Sequence, residues 1–159
     1  MGKWLLSAAL ALGAAASPAA GIDITLLGSW AARVDIEDPA TGRWDRRDGT
    51  HESAVDEVVL AIFNSSGPGD AWRLDVRRVD THWPESLTLW IRCSDPGLGP
   101  GSVDGGSLYQ EVTPQDTPLC SGRGDRSVIC IQLRLTGTSP EVSPSHYLSS
   151  VVYTVVDES

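Results

Sequence analysis

The chain has 159 residues and a formal net charge of −9, with 12 basic residues set against 21 acidic ones. A chain that is 41% hydrophobic and 21% charged has the composition of a folded domain, and we expect neither a disordered tail nor a multi-span membrane protein. Nucleic-acid binding needs a cationic face, so the acidic balance argues against a nucleic-acid partner.

Residues 1–20 have the layout of a secretory signal peptide. Lys3 precedes an apolar run that ends at Ala16, and this run is shorter than the roughly 20 residues that a membrane span needs. Small residues and a proline follow, so we expect cleavage after Ala19 or Ala20. The sequence therefore predicts a secreted, periplasmic or cell-surface protein without a membrane span after cleavage.

Apolar and polar residues alternate along most of the remaining chain, with the two-residue period of strands that bury one face. The alternation is clearest in residues 22–36, 72–77, 87–93 and 128–135, and less regular candidates are 58–63, 108–112 and 147–156. We expect the first segment to bend or bulge at Gly28. Residues 58–63 fit either a central strand or a helical turn, and residues 147–156 carry β-branched side chains on both faces, as a strand covered on two sides would.

Clusters of Gly, Pro, Asn and Asp separate these segments and predict turns between them. Seven candidate strands bounded by turns favour a single all-β domain over residues 21–159. We expect an immunoglobulin-like antiparallel β-sandwich, with a small β-barrel as the alternative.

The three cysteines are Cys93, Cys120 and Cys130. In an oxidising compartment we expect one disulfide and one remaining thiol. A bridge between Cys93 and Cys120 would join the long Gly/Pro loop to the strand before it, and would contribute about 3 kcal/mol in the loop-entropy model. Cys120 with Cys130 is the alternative, and the spacing does not choose between the two pairings.

The sequence offers no motif for catalysis, metal or cofactor binding. It has no C-x-x-C, H-E-x-x-H or G-x-S-x-G, so we expect a non-enzymatic protein without a metal site or cofactor. Arg123-Gly124-Asp125 has the composition of an adhesion tripeptide, but ordinary turn composition is the simpler interpretation. Asn64-Ser65-Ser66 fits the N-glycosylation sequon in a predicted turn, and matters only in a host that glycosylates.

The tryptophans divide into core and surface candidates. Trp30 and Trp72 fall on the apolar positions of their strands, where they supply core volume. Trp90 falls on the opposite face of its strand, and Trp83 and Trp44 flank predicted loops. Exposed aromatic rings stack on sugars or anchor protein interfaces, so Trp90, Trp83 and Trp44 are the candidate ligand or interface residues.

The C-terminal segment carries a resemblance to a known class of proteins. From Pro144 to Val156, a proline and Tyr147 introduce an alternating run of Val, Thr and Tyr. This segment resembles the last strand of secreted bacterial surface β-sandwiches of the spore-coat U and pilin-like kind. The resemblance implies assembly by donating or accepting a β-strand, with copies of the chain itself or other envelope proteins as partners.

These observations predict an exported, non-enzymatic β-sandwich with a structural or interaction role in the cell envelope or on the surface. The alternative is a secreted carbohydrate- or ligand-binding module that uses exposed tryptophans.

Overall fold

The computed structural model describes residues 6–8, 21–32, 49–138 and 147–159. These residues form strands and turns only, and none of them belongs to a helix that could cross a membrane. The strands are β1 (Leu6–Ala8), β2 (Asp23–Gly28), β3 (Trp30–Ala32), β4 (His51–Glu52), β5 (Val58–Phe63), β6 (Ala71–His82), β7 (Thr88–Asp95), β8 (Ser102–Asp104), β9 (Gln110–Glu111), β10 (Thr117–Arg123), β11 (Arg126–Thr136) and β12 (Leu148–Asp157). Apart from β1, the predicted signal peptide lies outside the described residues, and it stays a prediction.

Two antiparallel sheets pack face to face, so the predicted β-sandwich is confirmed. One sheet has the order β12-β6-β10-β8. The other has the order β2-β5-β11-β7-β9, with β4 paired to the far end of β11, and β1 and β3 form a separate two-stranded ribbon. Because each sheet has outer strands, the sheets do not close into the alternative barrel.

Seven of the described strands have six residues or more, but they are not the same seven segments that the sequence predicts. The prediction of a strand over residues 108–112 holds only for the two residues of β9, and the seven-residue strand β10 is not among the predicted segments. We number these seven long strands from one to seven in chain order. One sheet then has the order 1-2-6-4 (β2, β5, β11, β7), and the other has the order 7-3-5 (β12, β6, β10). An immunoglobulin constant domain pairs its strands as ABED and CFG. Relative to that arrangement, the fifth and sixth strands have exchanged sheets here. In addition, the third strand, β6, lies between the seventh and the fifth, and β12 is an outer strand.

The core lies between the sheets and consists of the inward-facing residues that the alternation predicts. Its largest fully buried side chains are Trp72, Leu60, Ile62, Leu74, Leu89, Ile91, Ile129, Ile131, Leu133, Leu135, Val58 and Val76. Each such side chain contributes about 1.5–3 kcal/mol to folding relative to its exposed state. The Trp72 indole nitrogen donates to the carbonyl of Gly124 at 2.9 Å, so the largest core residue leaves no unpaired donor.

The segment predicted as one strand over residues 22–36 is divided at Gly28. Gly28 has φ 136°, and a Cβ at this position would lie 2.2 Å from the carbonyl oxygen of Glu57. Only glycine accepts both conditions without strain. The chain therefore leaves the sheet after β2, and β3 pairs with β1 instead; residues 33–36 lie outside the described part of the chain.

Two less regular segments differ in their positions. Residues 58–63 form a strand and not a helical turn, and β5 lies between β2 and β11. By contrast, β12 is the outer strand of its sheet, and buried residues alternate with more exposed ones over most of its length. The prediction that residues 147–156 are covered on two sides is therefore wrong, because their β-branched side chains reflect strand propensity and not full enclosure.

Candidate functional site

The strands β2 and β12 form the outer strands of the two sheets on one side of the sandwich. β2 pairs with β5 over its whole length, from Asp23 opposite Phe63 to Gly28 opposite Val58. β12 pairs with β6, and the two outer strands contact each other across the sandwich. Within the described part of the chain, no strand pairs with the second edge of β2. We call this unpaired side of β2 the open edge.

The open edge of β2 is the freer of the two outer edges. The short strand β1 contacts β12, although its hydrogen-bonded partner is β3. The main-chain groups on the outer side of β2 pair with no strand among the residues described, although β2 contacts β12 across the sandwich. Unpaired N–H and C=O groups in a row form a template on which another strand can pair.

Hydrophobic side chains at the open edge face the core but are incompletely covered. Ile24 and Leu26 are half-buried, whereas Ile62 and Leu60, their cross-strand partners on β5, are each 1% exposed. Across the sandwich, Val155 of β12 is also only partly buried. The core therefore remains open along β2, and a further strand at this edge would cover it.

The open edge lacks the features that keep natural edge strands from pairing. Edge strands are commonly protected by lysine, proline, bulges or inward-pointing charges. β2 contains none of these features, and its pairing with β5 runs without a register shift. Its single charge is Asp23, at the first position, where the carboxylate accepts a hydrogen bond from the side-chain amide of Asn64.

An apolar surface continues from the open edge onto the outer face of the same sheet. Leu27 points outward and is 77% exposed. The register places Leu27 beside Val59, and Val59 beside Cys130, so that one row of the outer face is apolar across three strands. Both inner members of this row are half-buried.

Trp90 lies on the outer face of the same sheet, nearer its other edge. It is half-buried, and its register partners are Arg134 on β11 and Glu111 on β9. Its indole nitrogen donates to the hydroxyl of Thr136 at 2.9 Å. The prediction that Trp90 faces away from the core therefore agrees with the structure.

Two arginines and a tyrosine accompany Trp90, and we call these four residues the arginine–aromatic face. The guanidinium carbon of Arg134 lies 3.6 Å from the ring centre of Tyr109, and that of Arg92 lies 4.8 Å from it. Arg134 pairs with Glu52 at 2.6 Å, and Arg92 donates to the side-chain amide oxygen of Gln132 at 2.8 Å.

The Tyr109 hydroxyl is the exception in this network, because it is buried without a hydrogen-bond partner. Sequence analysis did not select Tyr109, Arg92 or Arg134 as site residues. The alternation placed the arginines on the outer face, but the approach of Tyr109 depends on how the loop after β8 folds back.

The other candidate tryptophans do not join this face. The Trp83 indole nitrogen donates to the carbonyl of Leu87 at 2.9 Å, and its ring packs against the core beneath the guanidinium of Arg78. These contacts are separate from those of Trp90, and the Trp83 ring shields part of the core from solvent. Trp44 lies outside the described residues.

The three cysteines are free thiols in the structure, and the predicted disulfide stays a prediction. Cys93 and Cys120 are buried on facing sheets, and a Cβ added at Gly106 would lie 3.3 Å and 3.1 Å from their Cβ atoms. Cys130 is half-buried on the outer face, whereas Cys120 faces the core. No two of the three cysteines lie at disulfide-bonding distance, so the structure supports neither of the two pairings that the spacing left open.

Burial controls the chemistry of these thiols. It raises the pKa of Cys120 to about 12 and also raises the pKa of Cys93. Partial burial, together with the nearby carboxylates of Asp95 and Asp56, raises the pKa of Cys130. All three side chains are therefore protonated at neutral pH, a state that disfavours a nucleophilic role.

The Arg123-Gly124-Asp125 tripeptide forms the turn between β10 and β11. The Asp125 carboxylate accepts hydrogen bonds from the backbone nitrogen and the hydroxyl of Ser65, at 2.9 Å and 2.5 Å. These bonds lower the pKa of Asp125. Arg123 donates to the carbonyl of Gly69 at 3.0 Å, so both charged side chains already hold the turn in place.

The residues described contain no group of three or more His, Cys, Asp or Glu side chains placed to hold a metal ion. No protein-family model, curated protein or solved structure matches this chain. The functional argument therefore rests on the geometry of the open edge and the arginine–aromatic face.

Proposed function

We propose that this protein is a non-enzymatic interaction module of the cell envelope or surface that binds its partner by β-strand addition at the open edge of β2. The observation that carries the proposal is the unprotected edge beside the half-buried Ile24 and Leu26. The predicted signal peptide supports the location. The resemblance of the C-terminal strand to those of pilin-like subunits supports the mode of assembly.

An added strand would supply two kinds of contact. Its main chain would pair with the free N–H and C=O groups of β2, at a net gain of about 0.5–1.5 kcal/mol for each hydrogen bond. Its inward side chains would cover the part of Ile24 and Leu26 that is still exposed, which contributes less than roughly 1 kcal/mol for each side chain. Main-chain pairing provides affinity, and the alternate side chains provide specificity.

A strand peptide tests this function directly. The probe is a labelled peptide with the sequence of residues 147–157, and the control is the same peptide with Val152→Pro, which removes a main-chain donor. We expect the probe to bind, measured by fluorescence anisotropy, and to slow amide hydrogen exchange at residues 23–28. The proline peptide should bind at least tenfold more weakly, because each lost hydrogen bond also disrupts its neighbours.

Two outcomes would contradict the proposed function. One is the absence of peptide binding at millimolar concentration, together with a chain that stays monomeric. The other is binding that protects the amides of another strand and leaves residues 23–28 unchanged.

The arginine–aromatic face favours a second function, which is the binding of a carbohydrate or similar ring-shaped ligand. The specific observation is that Arg134 joins two aromatic residues: its guanidinium stacks on Tyr109, whose buried hydroxyl has no hydrogen-bond partner among the residues described, and its register partner is the half-buried Trp90. A sugar both stacks on aromatic rings and offers hydroxyl groups. Tryptophan fluorescence titrated with glycans tests it. Trp90→Ala should abolish the response and Tyr109→Phe should weaken it. A glycan affinity that Trp90→Ala leaves unchanged would exclude this face.

A further inference from the structure

The open edge is suited to pairing with itself. We propose that the partner of β2 is the β2 strand of a second copy, paired antiparallel around a two-fold axis that passes through Thr25. This inference rests on the proposed function, because it identifies the strand that is added at the open edge.

The alternation of β2 restricts the register to pairings that keep like faces together, and among these the axis through Thr25 pairs the two half-buried residues with each other. With Thr25 opposite its own copy, Ile24 lies opposite Leu26 of the second copy. Asp23 then lies opposite Leu27 of the second copy. This register keeps inward residues beside inward residues and outward beside outward, since a shift by one residue would turn the half-buried pair toward solvent.

The charge on β2 selects the antiparallel direction. Asp23 is the only charged residue of the strand. In the proposed pair, the two aspartates are separated by about 14 Å along the strand, four residues at about 3.4 Å each. Salt screens charges over about 8 Å at physiological ionic strength, so this separation leaves little repulsion. A parallel in-register pair would place the two carboxylates side by side.

The inward pairs complete the core that β2 leaves open. Ile24 and Leu26 are half-buried in one copy, and each would pack against its counterpart from the other. Threonine pairs across strands are also favourable. The two larger sheets would then become one continuous sheet, with the β5 strand of each copy flanking the new pair.

Two variants that introduce opposite charges at position 27 test the register. In Leu27→Asp, the new carboxylate faces Asp23 of the second copy twice in each dimer, and we expect the dimer to weaken roughly fivefold. In Leu27→Lys, an ammonium faces the same carboxylates, so the dimer should hold or strengthen. Sedimentation equilibrium measures both dissociation constants. Leu27 is 77% exposed, so neither variant disturbs the core.

A cross-link tests the two-fold axis independently. In a Cys130→Ser background, Thr25→Cys places two thiols opposite each other. Oxidised glutathione should join them in a disulfide and be reduced to two molecules of glutathione. Leu27→Cys is the matched control, because its thiol would face Asp23, and we expect no covalent dimer from it.

The possible failures of the two proposals can be distinguished. A chain that stays monomeric at millimolar concentration but binds the 147–157 peptide at residues 23–28 would overturn self-pairing and leave strand addition standing. A dimer that Leu27→Asp and Leu27→Lys weaken equally would also overturn the register, since the contact would then be apolar and independent of Asp23. If the chain neither dimerises nor binds the peptide, both proposals fail.

Discussion

The guanidinium of Arg126 is the main polar anchor of the loop between β7 and β8, and its removal should destabilise the protein measurably. Arg126 donates to the carbonyls of Gly99 and Gly101 at 2.9 Å each, and to those of Pro96 and Gly97 at 2.8 and 2.6 Å. The loop approaches closely because it is rich in glycine. A Cβ at Gly97 or Gly101 would lie 2.2 or 1.7 Å from a backbone carbonyl oxygen of the neighbouring hairpin.

The expected loss of unfolding free energy depends on how many of these hydrogen bonds water can replace in the variant. The bonds to Gly97 and Gly101 are partly buried, and those to Pro96 and Gly99 are exposed. A hydrogen bond to a charged group contributes about 1.5–3 kcal/mol when water is excluded, and the exposed ones contribute little. We therefore expect Arg126→Ala to lower the free energy of unfolding by about 3 kcal/mol, taking the two partly buried bonds near the lower value.

Urea denaturation with circular dichroism measures this loss, and amide exchange in residues 96–101 locates it. Arg123→Ala is the matched control, because its one hydrogen bond to Gly69 is exposed, and we expect a loss below about 0.5 kcal/mol. Arg126→Lys keeps the charge but loses the planar fork, so it should recover less than half of the stability. Equal losses from Arg126→Ala and Arg123→Ala would refute the anchoring argument. So would full recovery with lysine, since the charge alone would then hold the loop.

Three further predictions concern other regions. Iodoacetamide should modify Cys130 before Cys120 in the folded protein, because burial both limits access to Cys120 and raises its pKa to about 12; equal rates by mass spectrometry would contradict the buried position. Val128 has φ 57°, so Val128→Asn should stabilise the protein by about 1 kcal/mol in urea denaturation, and a lower unfolding midpoint would show that the backbone is not strained there. Ser65→Ala should raise the pKa of Asp125 toward 3.8, measured by NMR titration. Because this pKa is lowered in the folded state, the interaction stabilises the protein above the unfolded pKa, and this stabilisation is lost as the pH falls through the lower folded-state pKa. An unchanged pKa in the variant would contradict the role of the hydroxyl.

The core could be predicted from the sequence because it depends on local periodicity. In β11, Ile129, Ile131, Leu133 and Leu135 alternate with less apolar residues, and all four are fully buried. A strand that buries one face has no other way to place these side chains. The same periodicity predicts Trp72 as a core residue, and its side chain is fully buried.

The positions of strands within the sheets could not be predicted, because they depend on which distant strands pair. β5 and β12 are both rich in β-branched residues, yet β5 is central and β12 is an outer strand. Their composition reports strand propensity, which is the same in both positions. The proximity of Cys93 and Cys120 has a similar origin, since it arises from two sheets facing each other and not from their spacing in the chain.

The Arg126 anchor did leave a signal that periodicity does not detect. Glycines at 97, 99 and 101 free the backbone from side chains, and the carbonyls of such a loop need donors. An arginine is the side chain with the most donors to offer, and Arg126 begins the next hairpin strand. The need of the loop carbonyls for hydrogen-bond donors therefore points to Arg126, whereas the hydrophobic pattern carries no information about this residue.

Leu27 provides the corresponding signal for the open edge. Along β2 the outward positions are Asp23, Thr25 and Leu27, so the polar alternation fails at its last member. Leu27 lies beside Val59 in the apolar row of the outer face, yet it is still 77% exposed. In the proposed two-fold pair, however, a second aspartate at 27 would face Asp23 of the other copy, and an uncharged side chain avoids that repulsion. The break in the alternation therefore has a physical reason if β2 pairs with itself, and the opposite effects expected for Leu27→Asp and Leu27→Lys test that reason.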